Sequence, residues 1–151
     1  MRNAKGGASV GVYLEIPKFL SKNEPLKVEI GSVQFGVGRV ISSPTGTSSR
    51  REGAAPNITE IVITRTTDKY SPLFFQESVS GKSRSMTIYF TQGSGKTAST
   101  YLTVHLENVL ISGYSVSTGG DKPTESIVLN FTKIEYKNTA HADDDPSGWT
   151  L

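Results

Sequence analysis

The amino-acid sequence predicts a mainly β fold, a compact two-sheet β-barrel or sandwich with one short α-helix. The chain has 151 residues with 15 Gly, 7 Pro and no Cys, a composition typical of strands joined by tight turns. Along most of the chain apolar and polar residues alternate, which is the repeat of a strand with one buried face. Residues 68–82 are the one stretch that has both the start and the stop signals of a helix.

The composition also limits the function classes. We expect a single domain over residues 1–151, with a core over about 10–137, an extended loop over 38–57 and a C-terminal tail over 138–151. Without Cys there is no disulfide, thiolate metal site or cysteine nucleophile. The net charge of +2 and the pI near 8.8 are too mild to predict nucleic-acid binding. No apolar run suits a membrane helix, and the polar N-terminus predicts no secretory signal peptide.

The first two predicted strands have one apolar and one polar face. The expected inward residues are Val10, Val12, Leu14 and Ile16, then Leu26, Val28 and Ile30, then Val33, Phe35 and Val37 after a shift of one position. A period of two cannot shift in this way without a bulge or bend, which we expect at Gly31. The shift places Ser32, Gln34 and Gly36 together on a face toward water.

A long polar segment follows over residues 38–57. It is rich in Ser, Thr, Gly and Pro, and loops of this length in a compact domain are usually functional or disordered. Its charged residues offer a contact point. The residues that we predict to make contacts are Ser43, Pro44, Thr45, Gly46, Arg50, Arg51 and Glu52.

The next strand, residues 58–66, has apolar residues on both faces, so we expect it to be central and covered twice. A helix over about Ser71–Ser80 follows. Ser71 is its expected N-cap, Pro72 suits the first helical position, and Gly81 is expected to end it in the left-handed conformation. An apolar stripe for packing on the sheet consists of Leu73, Phe74, Phe75 and Val79.

Further strands complete the predicted sandwich. Residues 86–91 and 101–107 form a hairpin across a Gly-Ser-Gly turn, a separate strand covers 109–116, and the last long strand covers 125–136. The expected inward residues are Met86, Ile88 and Phe90, then Leu102, Val104 and Leu106, then Ile127, Leu129 and Phe131. We expect Trp149 of the tail to dock on the domain.

Motifs that resemble known active sites each lack an essential part. Residues 93–97, GSGKT, look like the end of a phosphate-binding loop, but the leading Gly is missing and a strand follows instead of a helix. Residues 113–117, GYSVS, approach the hydrolase elbow but end in Ser, so a hydrolase would have only Ser94 and Ser115 as candidates. His105 and His141 are too few for a triad or a histidine metal site. We predict no catalytic residue, no metal and no cofactor.

Three ordered motifs resemble the haemolysin-coregulated protein (Hcp) family. Residues 67–82, TDKYSPL closing at SGK, resemble its Asp-Lys-x-Ser-Pro-x-Leu…Gly-Lys stretch. Residues 101–112 (YLTVHLENVLIS) and 117–134 (STGGDKPTES, then LNFTKI) are the second and third matches. The resemblance implies a fold similar to phage tail-tube proteins. The segment between Pro17 and Pro25 is shorter than in many members. The positions after the second strand where aromatic residues are common are here Val33 and Phe35.

The resemblance also implies a function. Hcp proteins are structural tube subunits of the bacterial type VI secretion system, not enzymes, and they form hexameric rings that stack into a tube. A contracting sheath drives the tube out of the cell, and small effectors can travel in the bore. The implied partners are other copies of the chain, the sheath, the spike and effectors. The implied location is the bacterial cytoplasm during assembly, followed by secretion through the machine. Ser32 and Gln34 are then expected to face the bore, and the 38–57 loop to reach the next ring.

The alternative is a monomeric β-barrel module that binds a carbohydrate or a peptide through the 38–57 loop. The mass in solution separates the two classes, because a ring elutes near six times the 16.3 kDa of the subunit.

Overall fold

The computed structural model describes residues 10–41, 55–93, 98–139 and 148–150. These residues form eleven strands and one helix, the predicted fold class. The strands are β1 (Val10–Ser21), β2 (Glu24–Ile30), β3 (Ser32–Gln34), β4 (Val37–Gly38), β5 (Asn57–Ile58), β6 (Ile61–Thr66), β7 (Arg84–Gln92), β8 (Ser99–Ser117), β9 (Thr124–Asn130), β10 (Lys133–Asn138) and β11 (Gly148–Thr150), and the helix is α1 (Ser71–Ser80). In these ranges no helix has the length and apolar character of a membrane span.

Two antiparallel sheets share the long strand β8. The first sheet has the order β2-β1-β7-β8, with β10 also on β8 and β11 on β10. The second sheet has the order β8-β9-β6-β3. Strand β8 passes from one sheet to the other at Asn108, whose φ of 55° is the left-handed conformation that Asn tolerates better than most residues. The two strands predicted over 101–107 and 109–116 are therefore one bent strand.

Gly31 connects the two sheets at the opposite side of the sandwich. Strand β2 pairs with β1 of the first sheet, whereas β3 pairs with β6 of the second. Between them the Gly31 N–H donates to the carbonyl of Thr64 at 2.7 Å. The predicted bend is confirmed, and it is the point where the chain leaves one sheet for the other.

The core lies between the two sheets and is closed by the helix. Alternate residues of β1, β2, β6, β7, β8 and β9 point into it. Its fully buried members include Leu14, Ile16, Ile61, Ile63, Ile88, Val104, Leu106, Ile127 and Leu129, together with Phe74 of α1. Apart from Ile61 and Ile63, whose strand was expected to be covered on both faces, these strand residues are the ones that the alternation predicts.

Two predicted strands are broken in the structure. Residues 58–66 divide into β5 and β6, and β6 has only one fully buried face, with Val62 half-buried on the other. Residues 125–136 divide into β9 and β10 around Phe131, which is half-buried. The second break matches the bend of β8, because Thr132 N–H donates to the carbonyl of Glu107 and Asn108 Nδ2 donates to Thr132 Oγ1, both at 3.1 Å.

The 38–57 segment is closed at its base. Strands β4 and β5 pair antiparallel there, with Val37 opposite Ile58 and Gly38 opposite Asn57. Val37 is 60% exposed, so its predicted inward position is wrong, because β4 belongs to this small separate ladder. In the tail, β11 pairs with β10 and places Trp149 opposite Tyr136 in the register.

The helix has the predicted bounds, but both predicted caps are wrong. No side chain caps its N-terminus, and Ser71 is the first helical residue, with its Oγ accepting the N–H of Asp68 at 3.0 Å. Gly81 has φ −67° and ψ 153°, which is extended backbone. Glycine is still required there, because a Cβ would overlap the carbonyl oxygen of Glu77.

The predicted apolar stripe of the helix is narrower than expected. Phe74 is fully buried, whereas Phe75 is 57% and Val79 71% exposed. The Phe74 ring lies 6.0 Å from the Phe19 ring, measured between centroids. The helix therefore inserts one aromatic ring into the core and leaves other apolar side chains on the surface.

Candidate assembly surfaces

Small polar side chains cover the outer face of the second sheet. On β6 the buried residues alternate with outward Val62 and Thr64, and the predicted bore-facing residues Ser32 and Gln34 are register partners of Thr64 and Val62. Ser32 and Gln34 thus share this face, which we call the hydroxyl face. Its residues are Ser32, Gln34, Glu60, Val62, Thr64, Thr66, Leu110, Ser112, Gly113, Ser115, Ser117, Thr124, Ser126, Val128 and Asn130.

One row of hydroxyl groups crosses all four strands of this face. The register joins Ser32 to Thr64, Thr64 to Ser126, and Ser126 to Ser115. The hydroxyl oxygens of Ser32 and Thr64 are 2.5 Å apart. Because a hydroxyl both donates and accepts, such a row can bind water or polar groups of either kind without a fixed charge.

Glu60 is the one charged residue of the hydroxyl face within the described part of the chain. Its Oε2 accepts hydrogen bonds from Asn130 Nδ2 at 3.0 Å and from Ser112 Oγ at 2.8 Å. These two hydrogen bonds, the one from Asn130 first, lower the pKa of Glu60 below its ordinary value. The carboxylate is therefore ionised at neutral pH. Because both donors are neutral, neither of them compensates its negative charge.

The outer face of the first sheet is different, because charged and aromatic groups cover it. One row of the register consists of Lys27, Glu15, Thr87, His105 and Glu135. Lys27 Nζ lies 5.7 and 5.6 Å from the ring centroids of Tyr13 and Tyr89, and the Tyr89 hydroxyl donates to Glu15 Oε1 at 2.8 Å. The two outer faces thus offer different chemistry to a partner.

Both edges of the second sheet lack a strand partner within the described residues. Strand β3 pairs only with β6, and residues 110–117 of β8 pair only with β9, because the β7–β8 ladder ends at Val109. Exposed apolar side chains accompany each edge. They are Val37, Val40 and Ile41 after β3, and Phe75, Val79 and Val116 on α1 and β8. Such edges bind other chains unless they are covered.

A buried charge network holds the start of the helix. Arg65 is 4% and Glu125 1% exposed. Arg65 Nη1 donates to Glu125 Oε2, and Nη2 donates to Asp68 Oδ2 at 2.5 Å. The Tyr114 hydroxyl donates to the other Glu125 oxygen, and the guanidinium lies 5.1 Å from the ring centroid of Phe74. The network therefore ties β6, β8, β9 and the segment before α1 together.

This network gives the first motif of the sequence a structural role. Asp68 Oδ1 accepts the N–H of Tyr70 at 2.9 Å, while its Oδ2 binds Arg65. The Asp and the Ser of the motif thus shape the turn into the helix. Burial raises the pKa of Asp68, but the hydrogen bond from Arg65 and the one from Tyr70 outweigh it, so the pKa is lowered overall. Burial and the bond to Glu125 raise the pKa of Tyr114 to about 12.

The other predicted site residues are not brought together. The contact residues Ser43, Pro44, Thr45, Gly46, Arg50, Arg51 and Glu52 lie outside the described residues, as do Ser94, Lys96 and His141. Ser115 lies in the hydroxyl row. His105 Nδ1 lies 2.9 Å from Thr87 Oγ1 on the first sheet. In the described ranges no three His, Asp or Glu side chains are grouped as metal ligands.

Sequence reasoning missed Glu60 and the Arg65–Glu125 pair. A signal for each was present. Glu60 has the parity of Val62 on the outer face, while Arg65 and Glu125 have the parity of buried neighbours. Two opposite charges at inward positions of two strands are typical of a buried ion pair.

The comparison with protein families agrees with this fold and these motifs. A family described as "Type VI secretion system effector, Hcp" matches residues 21–137, which is more than half of the chain. The chain therefore belongs to the Hcp family of the type VI secretion system. No curated protein sequence matches it.

Solved structures show the same fold at low sequence identity. A type six secretion system protein superposes with a TM-score of 0.75 at 16% identity, covering 95% of this chain and 96% of that one. Hcp1 of E. coli EAEC 042 has a TM-score of 0.72 at 14% identity, covering 95% and 98%. Hcp1 of Salmonella typhimurium has a TM-score of 0.69 at 16% identity, covering 95% and 94%.

Proposed function

We propose that this chain forms hexameric rings that stack into the tube of a type VI secretion system. The observation that carries the proposal is the second sheet, which within the described residues has no strand partner at either edge and has an almost uncharged polar face. If the β8 edge of one copy meets the β3 edge of the next, the sheet continues from subunit to subunit. Such a head-to-tail contact closes into a ring and covers both groups of exposed apolar side chains.

The size of the second sheet suits a ring with a wide bore. Strands lie about 4.8 Å apart, so four strands span about 19 Å. Six such sheets give a circumference of about 115 Å and a diameter of about 37 Å at the backbone, and strand tilt widens it further. A small folded protein has a comparable diameter, so a bore of this size accepts effectors as cargo.

The hydroxyl face is the bore wall in this arrangement, with Ser32 and Gln34 among its lining residues. Uncharged hydroxyls suit a wall along which different cargoes must both bind and move. The charged outer face of the first sheet then lies on the outside of the ring, toward the sheath. Assembly in the bacterial cytoplasm and export through the machine follow from this role, with the spike at the tip of the tube.

The loop over residues 38–57 is proposed to contact the next ring of the stack. Strands β4 and β5 bring its two ends together in a small ladder that is separate from the two main sheets, so the base of the loop is not part of the sheet that we propose to form the ring. Its charged residues Arg50, Arg51 and Glu52 could pair across the ring boundary in a salt-sensitive way.

The mass of the purified wild type tests the ring. A variant with a charge added at the β8 edge tests the proposed contact between subunits. We expect the wild type to elute near six times 16.3 kDa by light scattering and to appear as rings in negative stain. Val116 lies at the β8 edge and is 51% exposed. The variant Val116→Lys should give folded monomers. The control Ser85→Lys adds the same charge to an exposed position of β7 and should leave rings intact. A monomeric wild type contradicts the ring, and intact Val116→Lys rings contradict the edge contact.

A further inference from the structure

The hydroxyl face has a single charge in an otherwise neutral surface. Apart from Glu60, its described residues are Ser, Thr, Asn, Gln, Gly, Val and Leu. The nearest partners of the Glu60 carboxylate are the neutral side chains of Ser112 and Asn130. No Lys or Arg within the described part of this face balances the charge.

The carboxylate is held in a fixed place. Asn130 of β9 and Ser112 of β8 both donate to the same oxygen, Oε2, so Glu60 bridges across the face toward two strands of the sheet. Among the described residues no hydrogen bond is donated to the other carboxylate oxygen, so it can accept one from a partner. A charge positioned by two hydrogen bonds loses less conformational freedom on binding than a free surface side chain does.

Ring symmetry multiplies this feature. Under the proposed function each subunit presents Glu60 at the same height of the bore wall, so every ring contributes one circle of carboxylates. Stacked rings repeat the circle along the tube. Charges of one sign in a concave site add their potentials and raise the local concentration of opposite charge.

We propose that the bore of this tube selects positively charged cargo, with Glu60 as the residue that recognises Lys and Arg side chains of an effector. The proposal rests on the proposed function, because it requires the hydroxyl face to line a closed bore. The hydroxyl rows supply uncharged hydrogen bonds to any polar cargo, and Glu60 supplies the preference for charge.

The test compares two cargo probes on ring particles. The probes are short, flexible, fluorescent Gly-Ser peptides that carry either several lysines or the same number of glutamates. Binding is measured by fluorescence anisotropy at low and at physiological salt for the wild type, Glu60→Gln and the control Glu29→Gln. Glu29 lies exposed on β2, outside the hydroxyl face, so both variants change the net charge equally. Sizing with light scattering establishes that each variant is a ring.

We expect wild-type rings to bind the lysine peptide more tightly than the glutamate peptide, with the difference reduced by salt. Glu60→Gln should weaken lysine-peptide binding at least about fivefold, which corresponds to about 1 kcal/mol. Glu29→Gln should bind like the wild type. If wild-type and Glu60→Gln rings bind the lysine peptide equally well, the cargo proposal is wrong but the ring is not affected. The same holds if Glu29→Gln weakens lysine-peptide binding as much as Glu60→Gln does. A monomeric wild type overturns both the ring and the bore.

Discussion

The packing of the helix is tested most directly by removing the Phe74 ring. Phe74 is fully buried and contacts the Phe19 ring and the Arg65 guanidinium. Phe74→Ala leaves a cavity at this point, and we expect a loss of about 3–5 kcal/mol in the free energy of unfolding. For a chain of this length that corresponds to a fall of about 6–20 °C in the melting temperature.

The adjacent Phe75 provides the matched control. It is 57% exposed, and its ring centroid lies 5.9 Å from that of Tyr114. Phe75→Ala should cost no more than about 1.5 kcal/mol. Urea unfolding followed by circular dichroism measures both variants in the Val116→Lys background, because ring assembly stabilises the folded subunit by mass action and would cover Phe75 at the β8 edge. If Phe74→Ala unfolds like the wild type, or Phe75→Ala costs as much, the helix is not packed as the structure shows.

Three further predictions concern a glycine, a carboxylate and the long loop. Gly81→Ala should cost about 1–3 kcal/mol in urea unfolding, because its Cβ overlaps the Glu77 carbonyl, whereas Gly119→Ala meets nothing within 4 Å and should be neutral. The pKa of Asp68 is lowered in the folded protein. The ionised carboxylate therefore stabilises the fold fully at pH values above the ordinary pKa of 3.8, and this stabilisation is lost as the pH falls through the folded-state pKa. The stability difference between the wild type and Asp68→Asn should therefore shrink below about pH 4, and a difference independent of pH would contradict the charge pairing. Replacing residues 43–53 with a short Gly-Ser turn should leave rings that no longer form tubes or support secretion, and monomers instead would place the loop in the ring contact.

The sequence by itself determined the local features of this protein. The alternation of apolar and polar residues identified the strands and most of the core, because burial of one face imposes a period of two on each strand. The shift at Gly31 predicted the bend. The residues Ser71, Pro72 and Gly81 marked the helix bounds correctly, although the capping roles assigned to Ser71 and Gly81 were wrong. The Hcp motifs identified the family.

Only the tertiary structure decided how these pieces meet, because the deciding contacts join residues far apart in the sequence. Phe74 rather than Phe75 is buried because the helix lies against Phe19 and Arg65. Gly81 is required by the Glu77 carbonyl and not by a left-handed φ. Strand β8 stays continuous because each half finds a different partner strand. Periodicity assigns a face to each residue, but it carries no information about which element covers that face.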